Sequence, residues 1–159
     1  MANVFKERVI KPLKQLLNAG LTPAKMAQAL SIGFVLGITP LLGISSLLAV
    51  LIAAMLRLNQ VAIQVANWAA YPAQILLFIP YIRAGEWLLG MESVAISPTE
   101  IASTFNEDFY ASLQTYGQSL AAGFAAWVVT AIPLSVALNY PFQVILLRTL
   151  YKRNPSSRR

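Results

Sequence analysis

The chain has 159 residues, 57% of them hydrophobic and 11% charged, with a formal charge of +6. Soluble domains carry roughly 25% charged residues, so this composition excludes a polar disordered chain and argues against an ordinary water-soluble domain. With no cysteine and no histidine, a disulfide framework, a thiol nucleophile, an imidazole base and the usual zinc or haem sites are excluded, and no cofactor or metal is expected.

Charge is grouped along the chain. Residues 1–25 carry Lys6, Arg8, Lys11, Lys14 and Lys25 against Glu7, and residues 148–159 carry Arg148, Lys152, Arg153, Arg158 and Arg159. Between residues 83 and 116 the sign reverses, with Arg83 against Glu86, Glu92, Glu100, Glu107 and Asp108. Basic flanks stay cytoplasmic. Both termini are therefore expected inside and the acidic segment outside. The expected fold is all-α: a small polytopic helical membrane protein with a helical hairpin broken by proline and glycine.

Residues 1–21 read as a basic amphipathic leader. Phe5, Val9, Leu13, Leu16 and Leu17 fall at helical spacing, which suits either a helix lying on an anionic membrane surface or a solvated leader that only sets topology. One helical membrane domain is expected over 22–150, opening with a hairpin over 22–57. Thr22 is its N-cap and Pro23 its first helical residue. The Gly37-Ile38-Thr39-Pro40-Leu41-Leu42-Gly43 run then breaks the helix. Each half reaches about 25 Å, short of a ~30 Å hydrocarbon core. Two readings follow, a re-entrant hairpin with a buried tip or two short spans. Either returns the chain to the side where Arg57 sits.

A broken helix is expected over 61–90, interrupted at Tyr71-Pro72 and at Pro80. Gln64, Asn67 and Gln74 share one face of a continuous helix, and Pro72 offsets that register. Buried amides in a bilayer need partners. They either bond a neighbouring helix or line a wet cavity. Ser97-Pro98-Thr99-Glu100 is a capping box that opens an outer interfacial helix over 97–117, ending near Gly117. A transmembrane helix follows over 119–150, with kinks expected at Pro133 and Pro141. The basic tail over 151–159 is expected to be disordered.

Catalysis is poorly provided for, because paired carboxylates are missing from the apolar segments, and an enzyme is not expected. Gly33-x3-Gly37 lacks the Gly-Lys-Ser/Thr of a phosphate loop and reads as close helix packing. The basic ends explain topology before they imply nucleic acid, and no nucleic-acid partner is expected. Transport is better supported. Two breaks at membrane depth resemble discontinuous transporter helices, whose half-helix N-termini attract anions. Thr39, Pro40, Gly43, Ser45, Ser46, Gln64, Asn67, Pro72 and Gln74 are the candidate lining, and Arg57 and Arg83 candidate phosphate-holding groups at the surfaces. The competing reading of the arginines is snorkelling, with Arg83 paired to Glu86. The expected partners are membrane lipids and an anionic or lipid-linked small molecule. A homodimer through the Gly33/Gly37 or Gly123 faces is also expected. The alternative function is a non-transporting anchor or scaffold for an envelope enzyme.

Thr22-Pro23-Ala24-Lys25, Gly33-x3-Gly37-x2-Pro40-x2-Gly43, Leu56-Arg57-Leu58-Asn59, Asn67, Tyr71-Pro72, Gly85 and Leu89-Gly90 together carry a family likeness. Over about residues 20–150 the chain resembles the bacterial membrane-protein family called domain of unknown function number two thousand and sixty-two. Members often have Asn-Pro where this chain has Tyr71-Pro72. The resemblance implies a small inner-membrane protein. Fusion of some relatives to glycosyltransferase-like domains implies work in envelope glycolipid or polysaccharide metabolism. It implies no catalytic residues.

Overall fold

The computed structural model describes residues 22–41, 43–93 and 108–151. Five helices account for nearly all of them: α1 (Pro23–Gly37), α2 (Ser45–Met55), α3 (Gln60–Ala69), α4 (Tyr71–Leu88) and α5 (Phe109–Tyr151). There is no strand among the described residues. The leader, the 97–100 capping box and residues 152–159 of the tail lie outside them.

Local chemistry sets the boundaries. Thr22 Oγ1 accepts the Lys25 N–H at 3.4 Å and Pro23 takes the first turn, so α1 starts where expected. It ends at Gly37, and the Thr39 N–H tightens back onto the Leu36 carbonyl at 3.2 Å. α3 starts at Asn59, whose Oδ1 accepts the Ala62 N–H at 2.9 Å. α4 ends in a Schellman motif. The Met91 N–H reaches the Glu86 carbonyl at 2.8 Å, and Gly90 supplies the left-handed residue at φ 65°. α2 ends in the same way, with the Leu58 N–H on the Ala53 carbonyl at 2.8 Å, but there the left-handed position is held by Arg57 at φ 52°.

α1 is the hub and packs against α2, α3 and α5, while α4 packs mainly on α5. Small residues make these crossings close. A Cβ at Gly37 would stand 2.5 Å from the Asn67 carbonyl oxygen and 2.6 Å from the Ala70 Cβ, and one at Gly33 would run into the Ile63 carbonyl. Gly85 meets the backbone of Ala122 and Gly123 in the same manner. Of the faces offered for a homodimer, Gly33 and Gly37 pack on α3 and Gly123 packs on Ile82 of α4 within the chain.

Two expected interruptions are absent. Gly117 does not end a helix, because α5 runs unbroken from Phe109 to Tyr151 and carries Pro133 and Pro141 within it. Pro80 lies inside α4 without ending it. The real break is one residue ahead of Tyr71-Pro72, at Ala70, where α3 and α4 bend by 63°. Pro72 fits the first turn of the new helix, where its missing N–H costs nothing.

Large apolar side chains cover the surface as well as fill the core. α2 buries Ala49 and Ala53 and exposes Leu47, Val50, Leu51 and Met55. α4 buries Gln74, Gly85 and Glu86 and exposes Ile75, Leu76, Ile79 and Trp87. Glu86 is held by Arg83 at 2.7 Å. α5 is long and apolar enough to cross a membrane over Tyr116–Arg148, and the bent α3–α4 pair makes a second such span only if its halves count together.

Candidate functional site

The two breaks come together. The Gln74 side chain, in the first turn of α4, donates from Nε2 to the Thr39 carbonyl at 2.8 Å, in the break between α1 and α2. Trp127 of α5 secures the same segment from the other side. Its Nε1 donates to the Val35 carbonyl at 2.9 Å. That oxygen is one of the acceptors left open when a helix ends. The indole also stacks on Phe124 at 5.3 Å between centroids. Thr39 and Pro40 are fully buried as a result.

Beside this junction lies a cleft of about 410 Å³, lined by Gly43, Ser45, Ser46, Asn67, Trp68, Tyr71 and Gln74. Ser46 organises it. Its Oγ accepts the Asn67 Nδ2 at 3.2 Å and the Trp68 Nε1 at 3.3 Å, and its carbonyl accepts the Gln64 Nε2 at 3.0 Å. The amide N–H groups of α3 thus fasten it to the start of α2, and Gln60 extends the seam by donating to the Val50 carbonyl at 3.1 Å.

The seam leaves its acceptors open. Asn67 Oδ1, Gln64 Oε1 and Thr39 Oγ1 are buried with no hydrogen-bond partner among the described residues. Asn67 is only 3% exposed and borders the cleft. A buried polar atom without a partner costs about 1–3 kcal/mol. α2 also begins at this cleft with no side-chain cap at Ile44, so its first-turn N–H groups bring partial positive charge to the cleft. Among the described residues no Lys, Arg, Asp or Glu lines it.

Of the candidates read from sequence, Gly43, Ser45, Ser46, Asn67 and Gln74 line the cleft. Thr39 and Gln64 are tied to its walls by hydrogen bonds, and buried Pro40 sits next to Thr39 in the break. Pro72, Arg57 and Arg83 do not reach it. Pro72 is exposed outside the lining. Arg57 stands past the far end of α2, about 16 Å of helix away. Arg83 lies more than two turns along α4 and is engaged by Glu86. Trp68 and Tyr71 escaped the sequence reading because aromatic residues in an apolar run read as lipid contacts. The central role of Ser46 needs the approach of α3, which its own segment does not encode.

A second cleft, about 290 Å³ and almost wholly apolar, lies between α1, α2 and α5 and is lined by Ile32, Leu36, Ile52, Trp127, Ile132 and Val136 among others. The polar side chains in its described lining, Ser135 and Trp127, already donate to the Ala131 and Val35 carbonyls at 2.7 and 2.9 Å.

The family model described as an uncharacterized protein conserved in bacteria (DUF2062) matches residues 6–154 of the chain. No curated protein and no solved structure matches it.

Proposed function

The chain belongs to the DUF2062 family of bacterial proteins, and on that premise we propose that it is an integral membrane protein of transporter or flippase type. In this reading it lies in the bacterial inner membrane as a multi-pass helical protein. The polar part of an envelope small molecule or lipid passes by way of the cleft at the junction of the two breaks. One observation carries the reading: a body that turns Leu, Ile and Trp outward holds a cleft with polar groups in its wall, where the buried Asn67 Oδ1 has no partner among the described residues. In hydrocarbon such a cleft is worth its cost only when something polar fills it. The lengths of α1 and α2, about 22 Å and 16 Å, favour the re-entrant form of the hairpin over two full spans.

The test is transbilayer movement in vesicles reconstituted with the purified protein and trace short-chain fluorescent lipids, read by quenching of the outer leaflet with dithionite. Movement above protein-free vesicles is expected, and loss of that movement in Asn67→Leu. Movement equal to protein-free vesicles overturns transport. The amide seam would then be structural, and the anchor or scaffold for an envelope enzyme would become the leading reading, open to test by co-purification from membranes.

A further inference from the structure

We infer that the cleft selects an uncharged, hydroxyl-bearing group, such as a glycosyl or polyol head group, over a phosphate. The inference rests on the membrane-transport reading above and departs from the anionic ligand that the sequence led one to expect. Each of the three amide NH2 groups is already anchored by one hydrogen bond: Asn67 Nδ2 to Ser46 Oγ, Gln64 Nε2 to the Ser46 carbonyl and Gln74 Nε2 to the Thr39 carbonyl. At the cleft wall the buried Asn67 Oδ1 has no partner among the described residues, and Gln64 Oε1, outside the lining, has none either. A phosphodiester or a phosphomonoester dianion only accepts hydrogen bonds. It would leave Asn67 Oδ1 unpaired and set its charge against that oxygen, with no cationic side chain among the described lining residues to compensate. A hydroxyl donates and accepts at once. It satisfies the Asn67 oxygen and also takes the first-turn N–H groups of α2, which no side chain caps. Trp68 and Tyr71 line the same cleft and offer flat apolar faces to the C–H side of a sugar ring, with a polar edge beside them.

The test uses the full chain in nanodiscs and follows Trp68 emission as the difference from a Trp68→Phe control. Four probes are compared: monoglucosyl diacylglycerol, phosphatidic acid, free methyl glucoside and free inorganic phosphate. The glucosyl lipid should bind about tenfold tighter than phosphatidic acid, the size of effect that one or two satisfied hydrogen bonds give. Asn67→Leu should remove that preference. Gln64→Met, at a half-buried position, should weaken it if Asn67→Leu does not fold. A response to the lipid alone identifies a membrane-borne head group. A response to free methyl glucoside as well identifies the sugar itself as sufficient, and either result supports the inference. Equal or tighter binding of phosphatidic acid or phosphate overturns it, as does absence of any Trp68 response to both glucosides. The dithionite measurement is separate: glucoside binding without lipid movement overturns transport and leaves the selectivity standing.

Discussion

Arg57 occupies a position that glycine fills at the end of α4. Both helices close with the same pair of backbone bonds, but a left-handed residue carrying a Cβ costs about 1 kcal/mol. Arg57→Gly is therefore expected to stabilise the fold by about 0.5–1 kcal/mol, seen as a higher melting midpoint by circular dichroism in mild detergent. The side chain that stands there is exposed and basic. Trp127 acts in the opposite sense. Trp127→Phe keeps a ring to stack on Phe124 but leaves the Val35 carbonyl buried and unpaired. A loss of about 1–3 kcal/mol follows, measured by the same melting experiment. Unchanged stability would show that water replaces the indole.

At the scale of elements, close approach governs. Gly37→Val places its Cβ against the backbone of α3 and has no direction in which to relieve the clash. A penalty of about 3 kcal/mol should appear as loss of a monodisperse peak on size exclusion. Gly117→Ala is the contrasting case. Gly117 has open space around it within a continuous helix, so alanine should raise stability by up to about 1 kcal/mol. The same contrast separates what the sequence disclosed from what it hid. The Thr22-Pro23 start and the breaks near Pro40 and Pro72 were legible because capping, proline and glycine act over a few residues. Gly117 misled because its effect on a helix depends on what flanks it, and α5 continues on both sides. Asn59 went unread as a cap because its Oδ1 acts in a link too short to show a pattern of its own. Of the site, the amides were legible as polar residues in an apolar run. Their partners were not, since Ser46, Thr39 and Val35 receive bonds from residues between 18 and 92 positions away.

For the whole molecule, the decisive feature is the orientation of its surface. Large aliphatic and aromatic residues point outward on α2, α4 and α5, while Asn67, Gln74 and Glu86 lie within. Contiguous apolar surface on that scale marks contact with lipid or with another protein. The absence of native cysteine makes topology directly measurable. Ser45→Cys, on the cleft wall, should react with small permeant reagents and resist bulky impermeant ones. Asn59→Cys should label from the cytoplasmic side and Ser103→Cys from outside. Free labelling of Ser45→Cys from outside would show that the hairpin crosses the bilayer twice and would remove the buried tip.

The central position of α1 also has a consequence in time. It is the first described helix to leave the ribosome, yet the residue that completes its end, Trp127, lies 92 positions after Val35. At about 5–20 residues per second, roughly 5–20 s of synthesis separate the two. Throughout that interval α1 has a frayed carbonyl and an apolar flank with no α5 to cover it. Synthesis therefore has to tolerate a waiting hairpin of α1 and α2. Nascent chains arrested before residue 127 should be open to protease at the Gly37–Gly43 turn, and those released after α5 emerges should be closed to it.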